Sequence, residues 1–245
     1  MSKKKRIALI SSLSTIGVLL IALIVGIGVY LGTYYHADKE AVDAFLQESN
    51  IEKVEIDKRT TAFVPENPKA GFIFYPGGKV EVDAYYPLMA ECAKYDILSI
   101  AIEMPFNLAV FDINAAKGVI EKYPEIEKWY IGGHSLGGSM AASYLGKHVN
   151  DFDGLILLGS YSTVDFSDTS LKVLSIYGEF DEVMNRKKYD KYRSNLPNPI
   201  EYKIEGGNHA GFGMYGKQRG DGEATISNEK QIRITAEQIS NLMEK

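Results

Sequence analysis

Short apolar segments alternate with segments of helical periodicity from residue 71 to residue 243 of this chain. Alternation of this kind is typical of a parallel sheet whose two faces are both covered by helices. Strands are predicted over residues 71–75, 97–102, 128–131, 154–158, 171–177 and 200–204, with a further extended segment over 54–64. Helices are predicted over residues 38–50, 82–95, 110–122, 139–148, 186–195 and 229–243. The pattern predicts an α/β fold, in which functional residues collect at the carboxyl ends of the strands.

The composition excludes several classes of protein. A net charge of −5 over 245 residues argues against a general nucleic-acid binder. Cys92 is the single cysteine, so neither an intramolecular disulfide nor a cysteine-rich zinc site can form. The sequence contains no phosphate-binding loop, nucleotide fingerprint or metal-ligand set, so we predict neither a metal nor a cofactor. The length suits one α/β domain with a short appendage.

The N-terminal region is that appendage. No Asp, Glu, Lys or Arg occurs over residues 7–37, and four basic residues at positions 3–6 precede this run. About 20 mostly apolar residues span a membrane, and basic residues favour its cytoplasmic side. We therefore predict a single-pass anchor over residues 1–37 with a cytoplasmic N-terminus, a linker helix over 38–54 and an extracytoplasmic domain over 55–245. A cleaved signal peptide is the alternative, but its apolar core is usually shorter and residues 35–37 are a poor cleavage site.

The segment Gly132-Gly133-His134-Ser135-Leu136-Gly137-Gly138 contains the pattern G-x-S-x-G. This pattern is typical of a nucleophile elbow, in which a serine lies on a strained turn between a strand and a helix. Side chains at positions 133 and 137 would collide with neighbouring backbone, which explains the glycines there. The start of the following helix also favours developing negative charge. Ser135 is therefore the candidate nucleophile.

A serine nucleophile needs a base, and histidine is the residue most often used. The four histidines of the chain are His36, His134, His148 and His209. We favour His209, because it lies in a glycine-rich loop directly after the last predicted strand, where the base of such a site belongs. The other three are placed at the membrane interface, inside the elbow motif and at a helix end.

The acid of a catalytic triad is expected between the serine and the histidine in the chain. Asp181 has this position, just past the predicted strand over 171–177, where it would orient His209 and stabilise its charged form. Glu179 and Glu182 are neighbouring alternatives.

An oxyanion hole would stabilise the tetrahedral intermediate of acyl transfer. One donor is expected to be the Leu136 N–H, and the second should come from the loop after the strand over 71–75. We favour the Gly78 N–H, with Lys79 as the adjacent alternative. A plain strand-to-helix turn is the other interpretation of this loop.

Several residues on the loops at the site end of the sheet are candidate substrate contacts. Lys79, Phe106, Tyr161 and Phe212 lie on these loops, although core packing is the alternative for the aromatic residues. About a dozen residues separate the strands over 154–158 and 171–177, too few for a helical cap, so we predict an open site without a large cap domain. The polar loop over 216–222 is interpreted as solvated.

Together these segments resemble the α/β-hydrolase superfamily. The segments Tyr-Pro-Gly-Gly-Lys-Val-Glu, Met-Pro-Phe-Asn-Leu-Ala and Gly-Asn-His-Ala-Gly-Phe-Gly look like its small "fold-5" branch, which is related to dienelactone hydrolases. Over residues 55–245 the resemblance implies an α/β-hydrolase fold, with Ser135 as nucleophile, Asp181 as acid and His209 as base. The chain differs from dienelactone hydrolases in using Ser for Cys, and from many esterases in having Pro76 where they have His.

These observations predict a membrane-anchored serine hydrolase that acts on a small ester-like substrate through an acyl-enzyme. Two alternatives stay open. The same triad could transfer the acyl group to a lipid or cell-wall alcohol, or the fold could serve as a binding module without catalysis. The sequence does not specify the acyl group, the alcohol or the oligomeric state.

Overall fold

A computed structural model describes residues 3–244 of the chain, and their side chains from residue 15 onward. The chain divides into two compact units between Tyr34 and Tyr35. The first unit contains helix α1, Lys3–Gly32. Its segment Thr15–Gly32 has a mean hydropathy of 2.4 and is long and apolar enough to cross a membrane. A signal sequence near the N-terminus can meet the same criteria of length and hydropathy.

The second unit is built on an eight-stranded sheet within the described residues. The strands are β1 Glu52–Asp57, β2 Thr60–Val64, β3 Ala70–Tyr75, β4 Ile97–Ile102, β5 Trp129–His134, β6 Gly154–Leu158, β7 Lys172–Gly178 and β8 Ile200–Ile204. Their order is β1-β2-β4-β3-β5-β6-β7-β8. Strand β2 pairs antiparallel with both β1 and β4, and the strands from β3 to β8 pair parallel with one another. The predicted mostly parallel sheet is confirmed.

Two strand predictions need correction. The extended segment over 54–64 is a hairpin of β1 and β2, because the chain reverses between Asp57 and Thr60. Strand β5 does not stop before the glycines but runs through them to His134. Gly132 and Gly133 pair with β6. A Cβ at position 132 would lie 2.1 Å from the Ile156 carbonyl oxygen, so this close pairing requires a glycine there.

The central strands bury both of their faces, which explains their continuous apolar sequence. In β3, Phe72 and Phe74 belong to one hydrophobic cluster while Ile73 and Tyr75 belong to the other. Alternate residues of a strand point to opposite faces, so one short segment contributes to both cores.

Helices cover both faces, as predicted. They are α2 Lys39–Ser49, α3 Tyr86–Ala93, α4 Leu136–Leu145, α5 Arg186–Tyr192 and α6 Asn228–Glu244. Helices α2, α3 and α6 pack on one face through residues such as Phe45, Met89 and Ile239. Helix α4 packs on the other through Ala141 and Leu145. Residues 159–171 between β6 and β7 contain no helix, so no helical cap covers this part of the site.

The predicted helix over residues 110–122 is wrong. The segment forms only two short 3-10 turns, Ala109–Phe111 and Ile120–Lys122. The buried Tyr75 hydroxyl donates to the Ile113 carbonyl and accepts the Ala116 N–H, both at 2.9 Å. Gly118 then adopts a φ of +77°. A side chain from the sheet thus satisfies backbone groups that a helix would have paired internally.

Candidate active site

Ser135 lies on a sharp turn between β5 and α4. Its φ of +51° and ψ of −121° are a conformation that residues other than glycine rarely adopt. The turn is held by two hydrogen bonds, from the Ser135 N–H to the Leu158 carbonyl at 2.9 Å and from the Ser160 hydroxyl to the Ser135 carbonyl at 2.7 Å. Strain of this kind persists only where the surrounding structure imposes it, and it concentrates at functional sites.

The glycines on either side of Ser135 are sterically required. A side chain at position 137 would place its Cβ 2.2 Å from the carbonyl oxygens of Tyr75 and Pro76. At position 133 the same atom would lie 2.3 Å from the Tyr75 carbonyl oxygen. The start of α4 can therefore approach the end of β3 only because these positions lack side chains.

The structure brings Asp181 and His209 together. His209 Nδ1 lies 2.8 Å from Asp181 Oδ2, and both side chains are buried. The other carboxylate oxygen of Asp181 accepts the N–H groups of Val183 at 3.1 Å and Met184 at 2.8 Å. Because both oxygens are engaged, the carboxylate is fixed in the orientation that faces the imidazole.

The alternative acids do not contact the imidazole. The Glu179 carboxylate accepts the Gly206 N–H at 2.9 Å, whereas Glu182 takes part only through its backbone N–H, which donates to Asp221 at 3.4 Å. Within residues 15–244 neither carboxylate makes a hydrogen bond to His209.

His209 Nε2 is buried and has no hydrogen-bond partner among the described residues. The structure therefore does not show a hydrogen bond between this nitrogen and the Ser135 hydroxyl. Both residues border the segment after β6. Ser135 bonds to Leu158 and Ser160, while a Cβ at Gly159 would lie 2.9 Å from His209 Nδ1. Catalytic hydrogen bonds are often long in unliganded sites and tighten when substrate binds.

Asp221 is a residue of this site that sequence reasoning missed. Its carboxylate accepts the N–H groups of His209 at 3.2 Å, Ala210 at 2.8 Å and Gly222 at 3.0 Å, and it lies 3.4 Å from the Glu182 nitrogen. The interpretation of residues 216–222 as a solvated loop is therefore wrong at Asp221. The sequence offered one indication of this role, because Asp221 lies between Gly220 and Gly222 and glycines permit close backbone approach.

Replacing Asp221 with alanine is expected to lower kcat for an ester substrate by about 10²-fold with little change in KM, because small displacements of a catalytic group are costly. The loop that carries His209 would lose its bonds to the carboxylate. Steady-state kinetics test this, with Glu223→Ala as the control, because Glu223 lies in the same region but pairs with Lys217 at the surface. A kcat for Asp221→Ala within twofold of the control would contradict the role of the carboxylate.

The two proposed oxyanion donors are neighbours. A Cβ built on Gly78 would lie 2.9 Å from the Leu136 Cδ2 atom. The Lys79 N–H donates to the Asn107 carbonyl at 2.6 Å, and the Gly77 N–H donates to the Tyr85 hydroxyl at 3.2 Å. The intervening Gly78 N–H makes no hydrogen bond within residues 3–244. The geometry therefore favours Gly78 over Lys79 as the partner of the first amide of α4.

His134 joins the elbow to the loop over residues 76–79, called here the oxyanion loop. Its Nδ1 atom lies 2.8 Å from the Tyr85 hydroxyl that accepts the Gly77 N–H, and its ring centroid lies 4.3 Å from that of His209. Burial disfavours the charged ring, and the neighbouring His209 adds to this effect, so the pKa of His134 is well below its ordinary value of 6.5. His134 is therefore neutral in the folded protein.

This shift predicts a pH dependence of stability. Below pH 6.5 the unfolded chain binds a proton at His134 that the folded chain rejects, so the free energy of unfolding falls as the pH decreases. One such group contributes at most about 1.4 kcal/mol per pH unit. Unfolding of the full chain in detergent at pH 7.5 and at pH 5.5 is expected to show a smaller difference for His134→Gln than for wild type. Equal differences would show that His134 does not contribute.

The predicted substrate contacts have different surroundings. Phe212 is fully buried, with its ring centroid 5.4 Å from that of His134, so it packs in the core and offers no surface to a substrate in this structure. Tyr161 borders a cavity of about 230 Å³ beside Ser135. Phe106 is 59% exposed and has a φ of +55°. The cavity is lined by Ser135, Leu136, Ser139, Gly159, Ser160, Tyr161, Val183, Met184 and Asn185.

The sequence model of the alpha/beta hydrolase family matches residues 71–233, which include Ser135, Asp181 and His209. The chain belongs to the alpha/beta hydrolase family. This confirms the resemblance seen in the sequence. No curated protein sequence matches this α/β hydrolase. Among the described side chains, no group of three or more His, Cys, Asp or Glu residues could hold a metal ion.

Solved structures with the same fold are distant in sequence from this α/β hydrolase. A predicted CIB-like hydrolase from Thermoplasma acidophilum is 18% identical, with a TM-score of 0.55 and coverage of 78% of this chain and 98% of its own. Est1E from Butyrivibrio proteoclasticus is 12% identical, with a TM-score of 0.56 and coverage of 80% and 99%. A membrane phospholipase A, described as a bacterial virulence factor, is 9% identical, with a TM-score of 0.58 and coverage of 95% and 98%.

Proposed function

We propose that this α/β hydrolase is a serine esterase that uses Ser135, His209 and Asp181 as nucleophile, base and acid. The observation that carries the proposal is the buried Asp181–His209 pair at the same sheet edge as a serine in the strained elbow conformation. A binding module would not need a fixed carboxylate–imidazole pair of this kind. The structural neighbours include a hydrolase and a phospholipase, which is consistent with the proposal.

In the proposed reaction the Ser135 hydroxyl attacks the ester carbonyl and His209 Nε2 accepts its proton. Asp181 holds the imidazole so that Nδ1 carries a proton and Nε2 is free to accept one. The amides of Gly78 and Leu136 stabilise the negative charge on the carbonyl oxygen. His209 then protonates the leaving alcohol, and a water molecule activated by the same histidine releases the acid from Ser135.

We propose further that helix α1 anchors the enzyme in a membrane, with the basic residues at positions 3–6 in the cytoplasm. The second unit, Tyr35–Lys245 and called here the catalytic unit, would then lie on the other side of the membrane. The length and apolar character of Thr15–Gly32 support the anchor, and the basic residues support the orientation. One structural neighbour is a membrane phospholipase A, which is consistent with a membrane setting.

The test uses the full-length protein in detergent. A fluorophosphonate probe is expected to label wild-type protein at the peptide that contains Ser135, and p-nitrophenyl butyrate is expected to be hydrolysed. Ser135→Ala should abolish both, whereas Ser143→Ala, on the same helix one turn beyond the cavity, should retain them. Transfer of the acyl group to an added alcohol in preference to water would identify the enzyme as an acyltransferase. A folded wild-type protein with neither labelling nor turnover would contradict a catalytic role.

A further inference from the structure

The first residue of the catalytic unit is bonded to the oxyanion loop. The Tyr35 N–H donates to the Lys79 carbonyl at 2.7 Å, and the Glu81 N–H donates to the Tyr35 carbonyl at 3.0 Å. The Tyr35 hydroxyl also accepts the Arg219 N–H at 3.0 Å. Tyr35 is three residues beyond the end of α1 at Gly32. The chain therefore enters the catalytic unit next to Gly78, at the same edge of the sheet as the proposed triad.

An exposed apolar surface lies on the loop beside this entry point. Phe106, Val110 and Phe111, called here the Phe106 patch, are 59%, 45% and 55% exposed, and the two aromatic rings lie 5.6 Å apart. The same loop contacts the oxyanion loop in two places. The Asn107 carbonyl accepts the Lys79 N–H, and a Leu108 methyl lies 3.5 Å from the Cβ position of Gly78.

The backbone of this loop holds Phe106 outward against its conformational preference. Phe106 and Asn107 both have a φ of +55°. The left-handed region suits asparagine, but a bulky aromatic residue is rarely found there. An exposed aromatic ring in a strained conformation next to a candidate active site is typical of a residue that contacts a ligand.

The cavity beside Ser135 is small and partly apolar. Leu136, Tyr161, Val183 and Met184 contribute apolar surface to its walls, and its volume is about 230 Å³. Sites that enclose a drug-sized ligand usually measure about 300–1,000 Å³. The cavity can therefore enclose the ester group and the beginning of one chain, while the rest of a longer substrate must lie outside it.

We propose that the natural substrate is a carboxylic ester of a membrane lipid, and that the Phe106 patch contacts the lipid. This inference rests on the proposed serine esterase activity. In the reaction, the acyl carbon of the lipid forms a bond to Ser135 Oγ and its bond to the lipid alcohol oxygen breaks. The alcohol leaves with the proton from His209, and water then releases the fatty acid.

The experiment compares two substrates of the full-length protein reconstituted in mixed phosphatidylcholine–phosphatidylglycerol vesicles. Fatty acid released from the vesicle lipid and turnover of p-nitrophenyl butyrate are measured on the same preparation. Wild type is expected to act on both substrates and Ser135→Ala on neither. The double variant Val110→Ser/Phe111→Ser is expected to lower the ratio of lipid turnover to butyrate turnover about tenfold, since both substitutions remove apolar contact area.

The matched control is Tyr95→Ser, because Tyr95 is an exposed aromatic residue, 40% accessible, that precedes β4 instead of following it. Its turnover ratio is expected to stay within twofold of wild type. Butyrate turnover without release of fatty acid would contradict the proposed lipid substrate and would still support the serine esterase activity. Absence of both turnovers together with absence of fluorophosphonate labelling would overturn the proposed function itself. An unchanged ratio of lipid turnover to butyrate turnover in the double variant would show that the Phe106 patch does not contact the lipid substrate.

Discussion

Replacing Ser135 with alanine is expected to lower kcat for p-nitrophenyl butyrate by about 10⁶-fold, as removal of a serine nucleophile does in a working triad. The substitution removes the oxygen that would attack the carbonyl, and the mechanism offers no second nucleophile on the elbow. Residual hydrolysis would come from the oxyanion donors and from binding alone. The measurement is the initial rate of p-nitrophenolate release by the purified full-length protein, with the background rate of the buffer subtracted.

The fold should survive this substitution. Alanine and serine are similar in size, and both carry a Cβ that makes a φ of +51° costly to the same degree. The Ser135 N–H and carbonyl bonds to Leu158 and Ser160 use backbone atoms, so the variant retains them. The unfolding temperature is therefore expected to lie close to that of wild type. Activity of a folded Ser135→Ala protein at more than a hundredth of the wild-type rate would show that the nucleophile lies elsewhere.

Asp181→Asn is expected to lower kcat by about 10⁴-fold, because it selects the wrong form of the imidazole. One carboxylate oxygen of Asp181 accepts the N–H groups of Val183 and Met184, so the single oxygen of asparagine will stay with those donors. The amide NH₂ then faces His209 Nδ1 and donates to it. His209 is left with its proton on Nε2, where it can no longer accept the proton of Ser135.

The measurement is kcat for the same ester between pH 6 and pH 9, together with the rate of fluorophosphonate labelling, which depends on the same proton transfer. Glu179→Gln and Glu182→Gln are the matched controls, since both acids are near Asp181 in sequence and make no hydrogen bond to His209 within residues 15–244. Each control is expected to retain kcat within about threefold. A large loss in either control, with Asp181→Asn active, would reassign the acid of the triad.

Much of the fold was predictable because its signals are local. The segments 97–102 and 154–158 are strands with the predicted bounds, since short, nearly continuous apolar segments between polar turns are typical of buried strands. Residues 200–204 also form a strand with the predicted bounds, although polar residues alternate with apolar ones there. The elbow glycines were predictable for the same reason. Their steric requirement follows from the turn itself, and the structure shows the carbonyl groups that a side chain would meet.

The failed predictions depend on contacts between distant residues. The segment 110–122 has helical periodicity, but the Tyr75 hydroxyl, 41 residues from Ala116, bonds to the Ala116 N–H and the Ile113 carbonyl in the middle of the segment. Asp221 looked like a solvated charge because its bonds to the His209 and Ala210 N–H groups form only when the segment between β8 and α6 folds back on itself. Phe212 follows the base in sequence but is turned into the core. These contacts depend on how the folded chain brings the segments together, which local sequence patterns do not specify.

The sequence alone determined the six strands from β3 to β8, most of the helices, the apolar helix at the N-terminus and the candidate nucleophile, base and acid, because periodicity and turn residues act over a few positions. Only the tertiary structure decided which carboxylate faces His209 and which amide of the oxyanion loop is left unpaired. It also decided that Tyr35 and the Phe106 patch lie beside that loop. These features depend on how the loops at the carboxyl edge of the sheet meet in space, where steric fit and backbone hydrogen bonding select one arrangement.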